Sequence, residues 1–182
     1  MSEVVYYAAM SLDGYIADPD DDLDWLIGFE AVPPGPDVQT VEGGYEEFYE
    51  DVGALVSGSV TYEWILEHAG EWAYAGKPYW VLTSRELPVP EGQDVRFNGS
   101  LEEMIESAGD RKLWVVGGGP VASQFADAGL LDEVVVTVVP VVLGAGKPLF
   151  ERRLPGPPLR LTASLPRPSG MVELRFEVRR AA

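Results

Sequence analysis

The sequence predicts an α/β fold, a three-layer, doubly wound, mainly parallel sheet finished by an antiparallel C-terminal hairpin. Over the first two thirds of the chain, short and nearly continuous apolar runs alternate with helix-patterned stretches, as parallel strands covered on both faces require. The last third carries no helical pattern. There, Leu159–Pro166 and Met171–Arg179 alternate around Pro168-Ser169-Gly170, as the two strands of a hairpin do. Between the two regions, Gly117-Gly118-Gly119 joins the apolar run Lys112–Val116 to the apolar-patterned stretch Val121–Leu131, a strand passing through three glycines into a helix. At 182 residues and 46% hydrophobic composition the chain can build one core, so residues 1–182 are read as a single domain.

In order along the chain, Val4–Met10 is a continuous apolar run and reads as a central strand. It ends in Ser11-Leu12-Asp13-Gly14, and a loop rich in Asp, Pro and Gly follows to about Thr40, long enough to suggest a functional flap. A helix is expected over Val41–Asp51, a strand over Ala54–Ser57, a helix over Ser59–His68 and a strand over Tyr79–Thr83. A weaker strand follows at Asp94–Phe97. Ser100-Leu-Glu-Glu103 is a capping box that opens the next helix, because serine and glutamate three apart satisfy each other's orphan amides. Glu133–Val142 is a Val-rich strand, and the hairpin closes the chain.

Composition excludes several functions. With no cysteine, disulfides, thiolate catalysis and thiolate zinc sites are out, and the one histidine, His68, argues against a histidine-rich metal site. The acidic run Asp20–Asp24 lacks the glycine and terminal glutamate of a calcium loop, so no metal is expected. A formal charge of −17 repels nucleic acid and anionic membranes. No apolar run approaches the 18 or so residues of a membrane span, and the expectation is a soluble, cytoplasmic protein. Any anionic ligand must then be held by local features. Gly117–Gly119 is the first of these, since glycine lets backbone amides approach a phosphate and the helix N-terminus beyond presents unpaired N–H groups. Ser57-Gly58-Ser59-Val60-Thr61 and Thr83-Ser84-Arg85 repeat that chemistry at two other strand exits. Parallel strands bring all three to one edge, which favours an extended phosphate-bearing ligand such as a dinucleotide over routine capping at each.

Five segments carry a resemblance: Ala8–Ile16, Gly58–Glu63, Val81–Ser84, Val116–Val121 with Gln124, and Pro140–Phe150. In their order and spacing they resemble the dihydrofolate reductase-like family, above all the branch holding the reductase domain of the bifunctional riboflavin-biosynthesis enzyme and its stand-alone relatives. The resemblance implies NADPH lying across the strand ends and giving a hydride to a heterocycle. It implies that Ala9 and Ile16 line the nicotinamide, that Gly58, Ser59, Thr61, Gly117, Gly118 and Gly119 hold the diphosphate, that Thr83, Ser84 and Arg85 surround the adenosine ribose and its 2′-phosphate, and that Gln124 lies near the adenine. Tyr15, Trp25, Phe48 and Thr137 are the substrate candidates. Glu42 sits at the spacing of the carboxylate that helps protonate the pteridine in folate enzymes, with Asp13 and Asp24 as competitors; Asp13 also reads as a turn former and Asp24 as a helix cap.

Where folate reductases often carry arginine after the second-motif glycine and after the glycine triplet, this chain has Ser59 and Pro120, so NADH remains open as cofactor. Where riboflavin-pathway reductases carry a basic residue and a glutamate, it has Tyr15 and Gly117. These departures favour a small planar substrate of pteridine or folate type over the phosphorylated ribosylaminopyrimidine of the riboflavin pathway, for which Lys147 would have to supply the cation. The expected function is an NAD(P)H-dependent reductase acting on a small molecule, paired through its C-terminal edge into a homodimer. Two alternatives are a non-catalytic dinucleotide-binding or ligand-sensing module, and a scaffold without dinucleotide affinity.

Overall fold

The computed structural model describes residues 2–180. Its first strand, β1 (Val4–Ser11), turns through Gly14 into a short strand, β2 (Tyr15–Ala17), and a single-turn helix, α1 (Asp24–Ile27). There follow α2 (Tyr45–Glu50), β3 (Val52–Gly58), α3 (Ser59–His68), β4 (Tyr79–Leu82), β5 (Val95–Phe97) and α4 (Leu101–Ser107). The rest is β6 (Lys112–Gly117), α5 (Gly119–Asp127), β7 (Glu133–Val139), β8 (Lys147–Pro148), β9 (Arg160–Pro166) and β10 (Val172–Glu177).

Eight strands form one sheet in the order β5-β4-β3-β6-β1-β7-β10-β9, and β2 with β8 makes a separate two-stranded ribbon. The first six run parallel, while β10 is antiparallel to both β7 and β9. Two buried clusters cover the two faces. Met104, Ile105, Val121 and Phe125 of α4 and α5 pack with Val4, Tyr6, Val56 and Val115 on one side. Phe48, Tyr62 and Ile65 of α2 and α3 pack with Val5, Tyr7, Leu55 and Trp114 on the other. After β3 the chain moves outward through α3 to β4; after β6 it moves the opposite way through α5 to β7, past β1. These neighbouring strands therefore send their helices to opposite faces, and the crevice opened where the order reverses is where doubly wound sheets bind ligands.

Local chemistry explains the differences from the sequence reading. The helix expected over Val41–Asp51 begins only at Tyr45, because Gly43 and Gly44 hold φ of +86° and +128°, outside helical space. The strand expected to reach Val142 stops at Val139, and the following loop instead folds onto the β1–β2 turn, with Leu12 N donating to Val141 O at 2.8 Å. The helix after the glycines starts earlier, at Gly119, and ends at Asp127; Pro120 fits its first turn, where an N–H is not needed. The capping box of α4 is formed in full, Glu103 N donating to Ser100 Oγ at 3.1 Å and Ser100 N to the Glu103 carboxylate at 2.8 Å.

The long segment after β2 is not one free flap. Its second half is moored to the C-terminal hairpin: Val32 N donates to Ser169 O, Val41 N to Pro166 O, and the Arg167 guanidinium to the carbonyls of Val41 and Glu42. Only its first half, around α1, reaches the strand ends.

Candidate functional site

A cleft of about 600 Å³ opens at the C-terminal ends of β1, β3, β4 and β6, within the range of roughly 300–1,000 Å³ usual for small-molecule sites. Its lining includes Gly58, Ser59 and Thr61 at the start of α3 and Gly117, Gly118 and Gly119 at the start of α5, with Gln124 one turn further along. The N-caps of these two helices, Gly58 and Gly118, give no side-chain hydrogen bond to the helix, in contrast to the fully boxed α4. Both helices thus turn uncapped amides toward the cleft, the condition under which a ligand anion completes a helix N-terminus.

The three glycines divide the work. The Gly117–Gly118 peptide is cis. A Cβ on Gly118 would sit 3.7 Å from Pro120 Cδ and 3.8 Å from Ile16 Cδ1, ordinary contacts between two cleft-wall residues. A Cβ on Gly119 would lie 2.6 Å from the backbone oxygen of Leu149, which shows that this glycine is needed for packing. The chain from β8 passes directly over the first turn of α5, and Leu149 N is fixed in turn by Gly14 O at 3.1 Å.

Ala9 and Ile16 also line the cleft, Ile16 beside the glycine turn. Tyr7, Tyr74 and Trp114 form one aromatic part of the lining, with Trp114 meeting Tyr74 edge-on at 5.7 Å and Tyr7 at 6.3 Å between ring centroids, while Trp64 lines the cleft separately, one turn after Thr61 on α3 and stacked on His68 at 4.4 Å. Burial raises the phenol pKa of both Tyr7 and Tyr74 above the ordinary range, so both remain protonated donors at neutral pH. Tyr7 is also the wall between this cleft and a cavity of about 110 Å³ lined by Lys112, Glu133, Glu173 and Arg175. Its hydroxyl lies 3.4 Å from Glu173 Oε2 and 3.5 Å from Thr137 Oγ1, both long for hydrogen bonds. Burial also raises the Glu133 pKa, with the neighbouring Glu3 adding to the effect.

The remaining expected residues stand elsewhere. Thr83, Ser84 and Arg85 follow Leu82, the last lining residue on that strand. Thr83 Oγ1 accepts from Arg85 N, and the Arg85 guanidinium makes a bidentate pair with Glu63 at 3.0 and 2.5 Å. Asp13 is outside the cleft walls. Its carboxylate accepts from Ser11 Oγ, Leu143 N and Gly144 N, the Ser11 contact first among the causes that hold its pKa below the ordinary range. Glu42 is exposed and also outside the walls. Phe48 is buried in the core against Tyr7 and Trp114, Thr137 touches the Tyr7 hydroxyl rather than the cleft, and Tyr15 and Trp25 do not line it.

What the sequence reading missed is the aromatic wall itself. Tyr7 and Trp114 lie inside apolar strands and read as core. Trp64 and Ile65 carried a usable signal, because they follow Thr61 by three and four residues and so share its helix face. Among the described residues no cluster of three or more His, Cys, Asp or Glu is placed to hold a metal ion, and no helix is long and apolar enough to cross a membrane.

Comparison with known proteins agrees with this architecture. Residues 66–172, more than half the chain, match the RibD C-terminal domain family. The uncharacterized protein YwjB of Bacillus subtilis (strain 168) is 31% identical over 162 residues, covering 87% of this chain and 88% of its own. A solved structure from Shewanella sp. PV-4, provisionally assigned to riboflavin biosynthesis, is 31% identical with a TM-score of 0.77, covering 99% of this chain and all of that one. Dihydrofolate reductase of Enterococcus faecalis, solved in complex with NADP(H), shares the fold at a TM-score of 0.58 and 18% identity, over 96% of this chain and 94% of that one. Strand order, glycine turn and matched sequence together show that the chain belongs to the RibD C-terminal domain family and carries the dihydrofolate reductase-like fold.

Proposed function

We propose that the protein is an NADPH-dependent reductase of a small, planar, uncharged heterocycle of pteridine or folate type, with NADH as a weaker alternative cofactor. One observation carries the reading: a single cleft is lined both by two uncapped helix N-termini and by an aromatic group of Tyr7, Tyr74 and Trp114. The helix N-termini fit a diphosphate and the aromatic group a flat ring, and Ala9 and Ile16 on the same walls are the residues that would meet a nicotinamide. The bound dinucleotide supplies the hydride. The chain's own part is to hold the diphosphate on the amides of Ser59–Thr61 and Gly117–Gly119, to stack the acceptor against Tyr7 and Trp114, and to cover it with Leu23 and Leu26 of the α1 segment. Hydride delivery to a ring C=N carbon leaves the adjacent nitrogen in need of one proton, which water supplies, since the Tyr7 hydroxyl faces Glu173 and Thr137 outside the cleft walls.

Among the described residues, Lys147 is the one cation lining the cleft, and its engagement by Asp21 favours a neutral acceptor over the phosphorylated aminopyrimidine of the riboflavin pathway. The reading places the enzyme in the cytoplasm, where reduced dinucleotides are made and used. It is tested by NADPH oxidation with 7,8-dihydropterin and 7,8-dihydrobiopterin, both uncharged, against 5-amino-6-(5-phosphoribosylamino)uracil. Turnover should be faster with the dihydropteridines. Faster turnover of the phosphorylated pyrimidine would establish the riboflavin-type activity instead, and dinucleotide binding without oxidation by any acceptor would indicate a sensing module.

A further inference from the structure

Lys147 is the one cationic side chain on the walls of the cleft among the described residues, and Asp21 and Glu151 are the acidic ones. It projects from β8, which pairs antiparallel with β2 so that Ala17 is opposite Lys147 and Tyr15 opposite Pro148. Ile16, between those two positions, touches the glycine turn, with its Cδ1 3.8 Å from where a Gly118 Cβ would stand. Two residues beyond Lys147, the backbone of Leu149 packs on Gly119. The ribbon therefore sets Lys147 in the cleft wall, on the strand whose continuation packs on the start of α5. Its ammonium is engaged by Asp21 Oδ2 at 3.5 Å, both side chains being about half exposed. Asp21 belongs to the tight turn in which Asp18 Oδ1 accepts from Asp20 N and Asp22 N, each at 2.8 Å, and that turn leads into Leu23 and Leu26 over the cleft.

We propose that Lys147 is the cation that binds the cofactor's diphosphate, and that Asp21 is a built-in competitor which occupies it until the dinucleotide arrives. This rests on the dinucleotide reading above. A half-exposed carboxylate pair is weak and easily exchanged, whereas a diphosphate already seated on helix amides presents two charges to the same ammonium. Because Asp21 is on the covering segment, cofactor binding and the tether of that segment draw on one lysine. Arg85 does not take this role, being paired with Glu63 outside the cleft walls.

The test is a binding titration of NADPH and of NADH, followed by the fluorescence of Trp64 and Trp114 in the cleft, on the wild type, Lys147→Gln, Asp21→Asn and the double variant, with thermal unfolding as the check on folding. Wild-type binding of either dinucleotide tests the cofactor reading by itself; binding of neither overturns that reading and this inference together. Given binding, Lys147→Gln should weaken NADPH and NADH alike by about tenfold, since the diphosphate is common to both. Asp21→Asn should tighten both by about threefold, and should have no effect once Lys147 is gone. A loss confined to NADPH would move Lys147 to the 2′-phosphate and overturn the proposal, as would an Asp21→Asn protein that binds no more tightly than the wild type.

Discussion

At the residue scale, Gly118 and Gly119 are adjacent and chemically identical, yet the structure gives them opposite roles. Alanine at 119 would drive Cβ into a backbone oxygen 2.6 Å away, with the Leu149 carbonyl carbon and Phe150 Cα both at 3.3 Å, and none of these is the free end of a flexible side chain. Gly119→Ala should therefore destabilise the fold by about 1–3 kcal/mol. Alanine at 118 meets nothing closer than 3.7 Å and projects between Ile16 and Pro120 on the wall of the cleft. Gly118→Ala should leave urea unfolding within about 0.5 kcal/mol of wild type, as substitutions that disturb no packing do. It should still cut dinucleotide affinity about tenfold or more, by blocking the approach of phosphate to the amides. Equal losses of stability in the two variants would show that the turn is structural throughout. The triplet was legible in the sequence because its residue type is itself the signal. Lys147–Asp21 and the Tyr7–Trp114 wall were not, because each joins residues more than 100 positions apart and only sheet order brings them together.

At the element scale, the C-terminal hairpin is fixed by charge as well as by its ladder. Glu173, 1% exposed on β10, accepts from Arg167 and Arg175, each at 2.8 Å, and Arg167 continues to the carbonyls just before α2. One buried carboxylate thus ties β10, the hairpin turn and the approach to α2. Truncating Arg167 leaves that carboxylate short of a partner and two carbonyls without a donor, so Arg167→Ala should cost about 3–5 kcal/mol by urea denaturation, against less than about 1 kcal/mol for Arg85→Ala in its exposed pair. The double change Arg167→Met with Glu173→Leu should recover only part of the loss, because it removes the buried carboxylate left short of a partner but takes from the partly buried Arg175 its own carboxylate. Equal, small effects of Arg167→Ala and Arg85→Ala would contradict the tie. Most elements were readable from the sequence, including the box of α4 and the whole of α3, since these depend on residues within one turn of each other. The mooring of residues 32–42 was not. Its donors and acceptors are largely backbone groups, and these leave no trace in residue type until the hairpin is placed beside them.

At the scale of the whole molecule, a charge of −17 and one long open edge oppose each other. The two edges of the large sheet differ. β5 has three residues and carries Arg96, which makes it a poor template for pairing, whereas β9 has seven residues with Leu161 54% exposed at its outer face. The Val-rich strand β7 lies in the interior between β1 and β10, so if a second copy pairs through the C-terminal edge, the strand it meets is β9. Two copies meeting there bring like charges together. The Debye length is about 30 Å at 0.01 M salt, comparable with the protein's own dimensions, and about 8 Å at 0.15 M, where most of that repulsion is screened. Light scattering should accordingly give about twice the chain mass of 19.8 kDa at 0.15 M salt and micromolar concentration, with dissociation toward the monomer as salt is lowered. Leu161→Glu, which adds a charge near the start of β9, should hold the protein monomeric at both salt concentrations without altering dinucleotide affinity. A wild-type mass that stays at one chain in 0.15 M salt would mean that the edge is protected by its own Arg160–Glu177 pair and the Thr162 hydroxyl bonded to Arg175 O, and that the molecule works alone.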